Sequence, residues 1–300
     1  MERSSQVPEL GSPQVRRRRL AVELRRLREE RGLRGEDVAE SLGWSSSKLS
    51  RIETARIGIK TDDLDRLLRR YDLPADYRQE LLTLANESRS RGWWSAYADA
   101  VPEKFATYLV MESEAESISA WSPDLVPGLL QTEEYARATI DAHMAATAPL
   151  SPGEVERRVQ TRLRRQQSLT GESPKRFSCV LDESVLLRRE TSARVMRDQL
   201  GHLIAISALA NVTVHVLPLD GAHPIGTGAF LLLQFAPIPG IAATSDIVYI
   251  EQLSGSALYI DDDAETYQYR RGFGQLVAES LDPATSRGLI ERVMQDTWSR

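Results

Sequence analysis

The sequence predicts an α+β protein in two parts, an N-terminal all-α bundle followed by a mixed α+β domain with a small sheet. Three observations carry that expectation. Leucines recur at helical spacing up to about residue 84, and beyond Pro174 the pattern changes to short runs of Val, Ile, Leu and Phe. Charge also divides unevenly: residues 1–75 hold 17 Lys and Arg against 13 Asp and Glu, net +4, and the remainder 21 against 30, net −9. Three hundred residues exceed what one small bundle needs, so a further domain with its own core is expected.

Residues 1–13, rich in Ser, Pro, Glu and Gln, read as a flexible tail. A first helix follows from about Val15 to Glu30, with Leu20, Leu24 and Leu27 on one face and Gly32 beyond its end. Val38, Ala39 and Leu42 form the apolar face of a second helix. Gly43 stops it, because glycine tolerates the positive φ that a sharp turn requires. Ser45 is the expected N-cap of a third helix, its hydroxyl free to accept from the backbone N–H of Ser47 or Lys48. Leu49 and Ile52, three apart, turn inward against the second helix. Ser46, Ser47, Ser50 and Arg51 are left outward, with Lys48 at the edge. These side chains are short or cationic enough to reach base edges and phosphates, which makes the segment a helix-turn-helix suited to a DNA major groove. Arg51 stands out, since a guanidinium donates two bonds to one guanine while serine hydroxyls discriminate weakly.

A fourth helix is expected from Thr61 to Tyr71 on Leu64, Leu67 and Leu68, and a fifth from Tyr77 to Ser90 with Leu81, Leu82 and Leu84 inward. The all-α helix-turn-helix bundle is thus placed at residues 14–90. The Arg16-Arg17-Arg18-Arg19 run begins the first helix, where Arg18 and Arg19 are candidates for phosphates, as is Arg56 beyond the third. Trp93-Trp94 and Tyr97 read as anchors of a domain junction.

Residues 20–73, with Leu-Arg-x-x-Arg-Gly-Leu, Glu-Asp-Val-Ala-Glu-x-Leu-Gly and Ser-Lys-Leu-Ser-Arg-Ile-Glu, resemble the Cro/C1-type (Xre) helix-turn-helix regulators. That resemblance implies a salt bridge between Arg28 and Glu53 and base contacts from Ser46, Ser47 and Arg51. In one place the chain departs from the family. Where members begin the second helix with Ser or Thr followed by Gln, this chain has Arg34-Gly35, so Arg34 stands in for the Gln phosphate contact as a less directional charge.

Residues 91–300 form the expected α+β domain, a regulatory or partner-binding part. It opens with a helix running from Phe105 through Tyr108 to Ala120, then turns at Ser122-Pro123 and Pro127-Gly128. Thr132 caps a helix running to about Met144, and Ser151-Pro152, with Glu154 three positions into the next helix, opens one ending near Leu169. Arg157, Arg158, Arg162, Arg164 and Arg165 on that helix read as a solvated basic face. Strands are expected at 177–181, 212–217, 230–235 and 247–251, with a helix from Ser192 to Ala210 making the first two a crossover unit. Helices at 266–281 and 283–298 close the chain.

The run from Glu112 to Arg137, with Glu-x-x-x-Ile-x-x-Trp-x-Pro-x-Leu-Val-Pro-Gly-Leu-Leu-Gln-Thr-x-x-Tyr-Ala-Arg, is joined by Arg162 to Gln166, Leu181-Asp182-Glu183, Val212 to Pro218 and Val248 to Glu251. Together they resemble the C-terminal domain of Scr1-type and WhiJ-type regulators. The resemblance implies a small, separately encoded partner protein, in an arrangement like a toxin–antitoxin pair.

Enzymatic chemistry is not expected. Asp182, Glu183 and Glu251 could meet His202, His215 or His223, but the chain has no His-x-x-x-His spacing, phosphate loop or nucleophile signature. His215 alternates within an apolar strand and reads as hydrogen-bonded, and Asp261-Asp262-Asp263 as a solvated turn. No cofactor or metal is called for. Cys179, the single cysteine, is expected buried in a strand. With no eighteen-residue apolar run and no hydrophobic signal core, the expectation is a cytoplasmic protein without a membrane partner. The sequence therefore points to a double-stranded DNA operator as ligand and to a homodimer, since one recognition helix reads few base pairs. The second domain is then a dimerisation surface, effector sensor or partner dock. The rival reading is an antitoxin-like module that chiefly sequesters a partner.

Overall fold

The computed structural model describes residues 13–87, 103–147, 149–189, 191–236, 246–252 and 257–299. They divide into two compact units, an all-α unit and a mixed α+β unit.

The first unit holds α1 (Pro13–Glu30), α2 (Gly35–Leu42), α3 (Ser46–Glu53), α4 (Thr61–Arg70) and α5 (Ala75–Glu87). Pro13, the last residue of the expected tail, is already helical; at the first helical position its missing N–H costs nothing. Residues 1–12 lie outside the described residues, as do Ser88 to Ser90, Trp93, Trp94 and Tyr97. Leu20, Leu24 and Leu27 of α1 meet Val38, Ala39, Leu42, Leu49 and Ile52 in one cluster, closed by Leu64, Leu67, Leu68 and Tyr71. Gly43 has φ 72°, and its N–H and the next residue's return to the last carbonyls of α2. Ser45 accepts from the Lys48 N–H at 3.2 Å, so α3 starts at a fixed angle to α2.

The second unit holds α6 (Glu103–Glu114), β1 (Ser117–Ser122), α7 (Glu133–Ala146), α8 (Pro152–Thr170), β2 (Arg176–Asp182), α9 (Ser184–Leu187), α10 (Ala193–Ile206), β3 (Val212–Leu217), β4 (Phe230–Gln234), β5 (Ile247–Glu251), β6 (Ala257–Ile260), α11 (Asp263–Glu279) and α12 (Pro283–Asp296). Its sheet has six strands in the order β3-β2-β1-β4-β5-β6. The β1–β2 and β2–β3 pairs are parallel, and β1–β4, β4–β5 and β5–β6 are antiparallel. Trp121, Val180, Leu232 and Val248 pack on Phe273 and Leu276 of α11. Phe177, Cys179 and Leu181 point to the other face and are also buried, which is why β2 reads as a nearly unbroken apolar run.

Two expectations about this unit are overturned. The helix through Tyr108 to Ala120 ends at Glu114, and residues 117–122 form the strand at the centre of the sheet. Ile118 and Ala120 alternate with Ser117 and Ser119, a period suited to a strand, but six such residues behind a true helix are ambiguous to periodicity alone. Trp121 is aligned with Val180 on one side and Phe230 on the other, partners far away in sequence. The short edge strand β6 was likewise not anticipated.

The second correction concerns the arginines of α8. Arg164 is exposed, but Arg165 is buried and Arg162 is half-buried on the inward side of the helix. A helix carrying arginines at successive positions cannot keep all of them on one solvated face, and here α8 lies between α6, α7 and the 3-10 turn Gly128–Leu130.

Candidate functional site

The outer surface of α3 is the first candidate. Ser46, Ser47, Ser50 and Arg51 are exposed, while Leu49 and Ile52 are buried at 1% and 2%. Arg51 has no side-chain partner among the described residues and is free to extend from the helix. Arg56 is exposed beyond the end of α3. Lys48 is placed differently from its neighbours: its Nζ donates to Asp63 Oδ2 at 2.8 Å and lies 4.1 Å from the centre of the Trp44 ring. It therefore ties α3 to α4 and, as it stands, is committed inside the unit. Arg34, preceding α2, is exposed and paired with Glu36 at 3.1 Å. Arg18 and Arg19 belong to α1 by backbone, and their side chains lie outside the described residues.

Arg28 and Glu53 are brought together across 25 positions. Arg28 Nε and Nη2 donate to the two Glu53 oxygens at 2.8 and 2.9 Å, and Arg28 Nη1 donates to the Leu33 carbonyl at 3.0 Å. The hydrogen bond to Glu53 holds the Arg28 guanidinium above its ordinary pKa. This bidentate pair clamps the end of α3 onto α1, and with it the direction in which Arg51 points.

A cavity of about 250 Å³ in the second unit is the other candidate. One wall is the loop from Trp121 to Gln131, which crosses from β1 to α7; α6, α8, β2, β4 and β5 supply the rest. Hydrogen bonds pin the loop. Gln131 Nε2 donates to the Val126 carbonyl at 2.7 Å, Gln166 Nε2 to the Gln131 carbonyl at 2.6 Å, and Gln199 Nε2 to the Leu130 carbonyl at 2.7 Å. Pro127-Gly128 passes directly over Arg165, where a Cβ on Gly128 would lie 3.3 Å from Nη1.

Behind that loop, Arg165 Nε and Nη2 donate to the two oxygens of Glu112 at 2.7 and 2.6 Å, and Nη2 also donates to the Tyr108 hydroxyl at 3.0 Å. The Tyr108 hydroxyl donates in turn to Glu112. Burial opposes the Arg165 charge, but Glu112 and Tyr108 together outweigh it and raise the pKa; burial also pushes the Tyr108 phenol up. Tyr108 stacks on Tyr249 with centroids 4.3 Å apart. Arg162 is less well matched. Its Nη1 donates to Gln131 Oε1 at 2.6 Å and Thr139 Oγ1 at 3.0 Å, both neutral acceptors. Burial pushes its guanidinium down to about 10, still protonated at neutral pH.

The sequence reading did not find this cavity. Its signal was nonetheless present: Trp121, Pro127, Gly128, Gln131, Arg162 and Arg165 all fall in the first two stretches that carry the C-terminal resemblance.

Several of the other candidates are used locally. Asp182 Oδ1 accepts from the Ser184 N–H, Glu183 Oε2 from the Leu219 N–H, and His215 Nδ1 lies 3.1 Å from the Leu281 carbonyl. His223 meets the Trp121 ring edge-on, and Asp262 caps α11. Cys179 is buried in β2, which pushes its thiol pKa up. Among the described residues no helix is long and apolar enough to cross a membrane.

Residues 19–81 match the family model of a helix-turn-helix domain, and residues 105–292 match that of a domain of unknown function (DUF5753). No curated protein and no solved structure matches the chain.

Proposed function

The chain belongs to the family defined by that domain of unknown function, and from the helix-turn-helix domain ahead of it we propose a sequence-specific transcription regulator of the Xre type. DNA binding and transcription regulation are what the helix-turn-helix domain supports. The observation that carries the finer reading is the exposed Arg51, without a side-chain partner among the described residues, on a helix whose Leu49 and Ile52 are dry and whose end is clamped by Arg28 and Glu53. In this reading α3 enters the major groove, Arg51 reads a guanine, Ser46, Ser47 and Ser50 contact neighbouring base edges or phosphates, and Arg34, Arg56, Arg18 and Arg19 contact phosphates. Lys48 acts first through its tie to Asp63.

Two copies bind two half-sites, because a single recognition helix supplies too little discrimination. The second unit is the regulatory part, of the Scr1 and WhiJ type, and acts by binding rather than by catalysis. The test is recovery of genomic DNA fragments by the full chain, followed by titration of the recovered site. A two-fold-related motif whose affinity falls with Arg51→Ala supports the reading. Fragments without a common motif, or a motif bound equally by that variant, overturn it.

A further inference from the structure

We propose that the cavity between the Trp121–Gln131 loop and α8 binds a small organic carboxylate with a flat apolar body, its carboxylate held by Arg162. Three features of the site point there. First, the wall is aromatic where it is not aliphatic: Phe105, Tyr108, Trp121, Phe177, Phe230 and Tyr249 line it, and such walls select planar apolar groups. Second, two arginines line the cavity but only one has charge to offer. Arg165 is matched by Glu112 on both sides of its fork. Among the described residues Arg162 makes no ion pair, and its two acceptors, Gln131 and Thr139, engage Nη1 alone. Arg162 lines the cavity, and its Nε and Nη2 make no hydrogen bond among the described residues. A guanidinium with Nε and Nη2 free presents the two parallel donors that a carboxylate accepts.

Third, the acids on the wall stand on the solvent side. Asp124 and Glu251 are both exposed, whereas Arg162 is half-buried; Glu251 acts on Arg162 through space but is not hydrogen-bonded to it among the described residues. A ligand carboxylate on Arg162 would therefore sit on the less exposed part of the wall, away from Asp124. At about 250 Å³ the space is just under the usual range for drug-sized ligands, which fits a metabolite of one or two rings.

The regulatory meaning of this site rests on the reading above, but its chemistry does not. The test is calorimetric titration of the full chain with trans-cinnamate and indole-3-acetate, each beside its neutral amide. At least one acid is expected to bind, with its amide about 10- to 100-fold weaker, the range for one lost charge-assisted hydrogen-bond pair. Arg162→Gln is expected to weaken the acid by a similar factor, and Arg164→Gln, on the exposed side of α8, to leave it unchanged. No binding by either acid, equal binding of acid and amide, or full binding by Arg162→Gln overturns the proposal. The acid–amide comparison uses the unaltered chain, so it decides the matter even if Arg162→Gln fails to fold. Operator affinity measured with and without the bound acid separates the two inferences. An unchanged affinity removes the regulatory role and leaves the site, while failure of the titration removes the site and leaves DNA recognition intact.

Discussion

Replacing Arg165 by Met removes the cation that is paired with Glu112, a carboxylate buried under the Trp121–Gln131 loop. The side chains of Arg165 and Glu112 are 6% and 4% exposed, so Glu112 is left in a nearly dry site with the Tyr108 hydroxyl as its remaining donor. Breaking such a pair from one side costs about 3–5 kcal/mol, a large part of the ~5–15 kcal/mol that holds a domain folded. For a unit of roughly 200 residues, each kcal/mol moves the midpoint by about 2–4 °C, so a fall of about 6–20 °C is expected. Removing both charges is milder. Arg165→Met with Glu112→Leu leaves only the Tyr108 hydroxyl unpaired, a cost of about 1–3 kcal/mol, so the double variant should be more stable than the single one. Differential scanning calorimetry of the full chain reads both, with the helix-turn-helix unit's own transition as internal reference. A single variant that loses under about 1 kcal/mol, or a double variant no more stable than it, refutes the assignment of Arg165 as the charge partner of Glu112.

Arg51→Ala should weaken specific DNA binding by about 1–3 kcal/mol, the value of one bidentate base contact, while leaving the thermal midpoint unchanged; fluorescence anisotropy and a melting curve check both halves. Gly128→Ala pushes a methyl against the pinned Arg165 guanidinium at 3.3 Å and should cost about 1–3 kcal/mol of overpacking, read by denaturant unfolding. Ser45→Ala removes the acceptor for the Lys48 N–H and should lower the stability of the first unit by about 1 kcal/mol, with exchange protection lost first in α3. Hydrogen bonds from the Ser151 hydroxyl and backbone hold the Glu154 carboxyl below its ordinary range. A carboxyl depressed by folding adds stability above its unfolded value and loses it as pH falls through the folded one, so the start of α8 should loosen in acid. NMR titration of that carboxyl is the check, with Ser151→Ala returning it part of the way, since the backbone N–H at 151 still donates.

What the sequence by itself determined is local. The leucine spacing of α1 and α4, the Gly43 turn, the Ser45, Thr132 and Ser151 caps and the apolar runs of β2 and β3 involve groups within a few residues of one another, and the energies that settle them are settled at short range. Glu154 three positions after Ser151 can be read as a capping box because a helix brings those two atoms together whatever surrounds it.

Tertiary structure decided the rest. Residues 117–122 became a central strand because β2 and β4 were there to pair with them, and nothing in six alternating residues announces those partners. Whether an arginine on α8 meets water or Glu112 depends on a residue 53 positions away, and the same letters in the sequence serve either outcome. Charge is written in the sequence, but its solvation is not, since burial is a property of everything folded around it. That is why the arginines read as a solvated face contain both the matched Arg165 and the unmatched Arg162, and why the cavity they line came into view only with the fold.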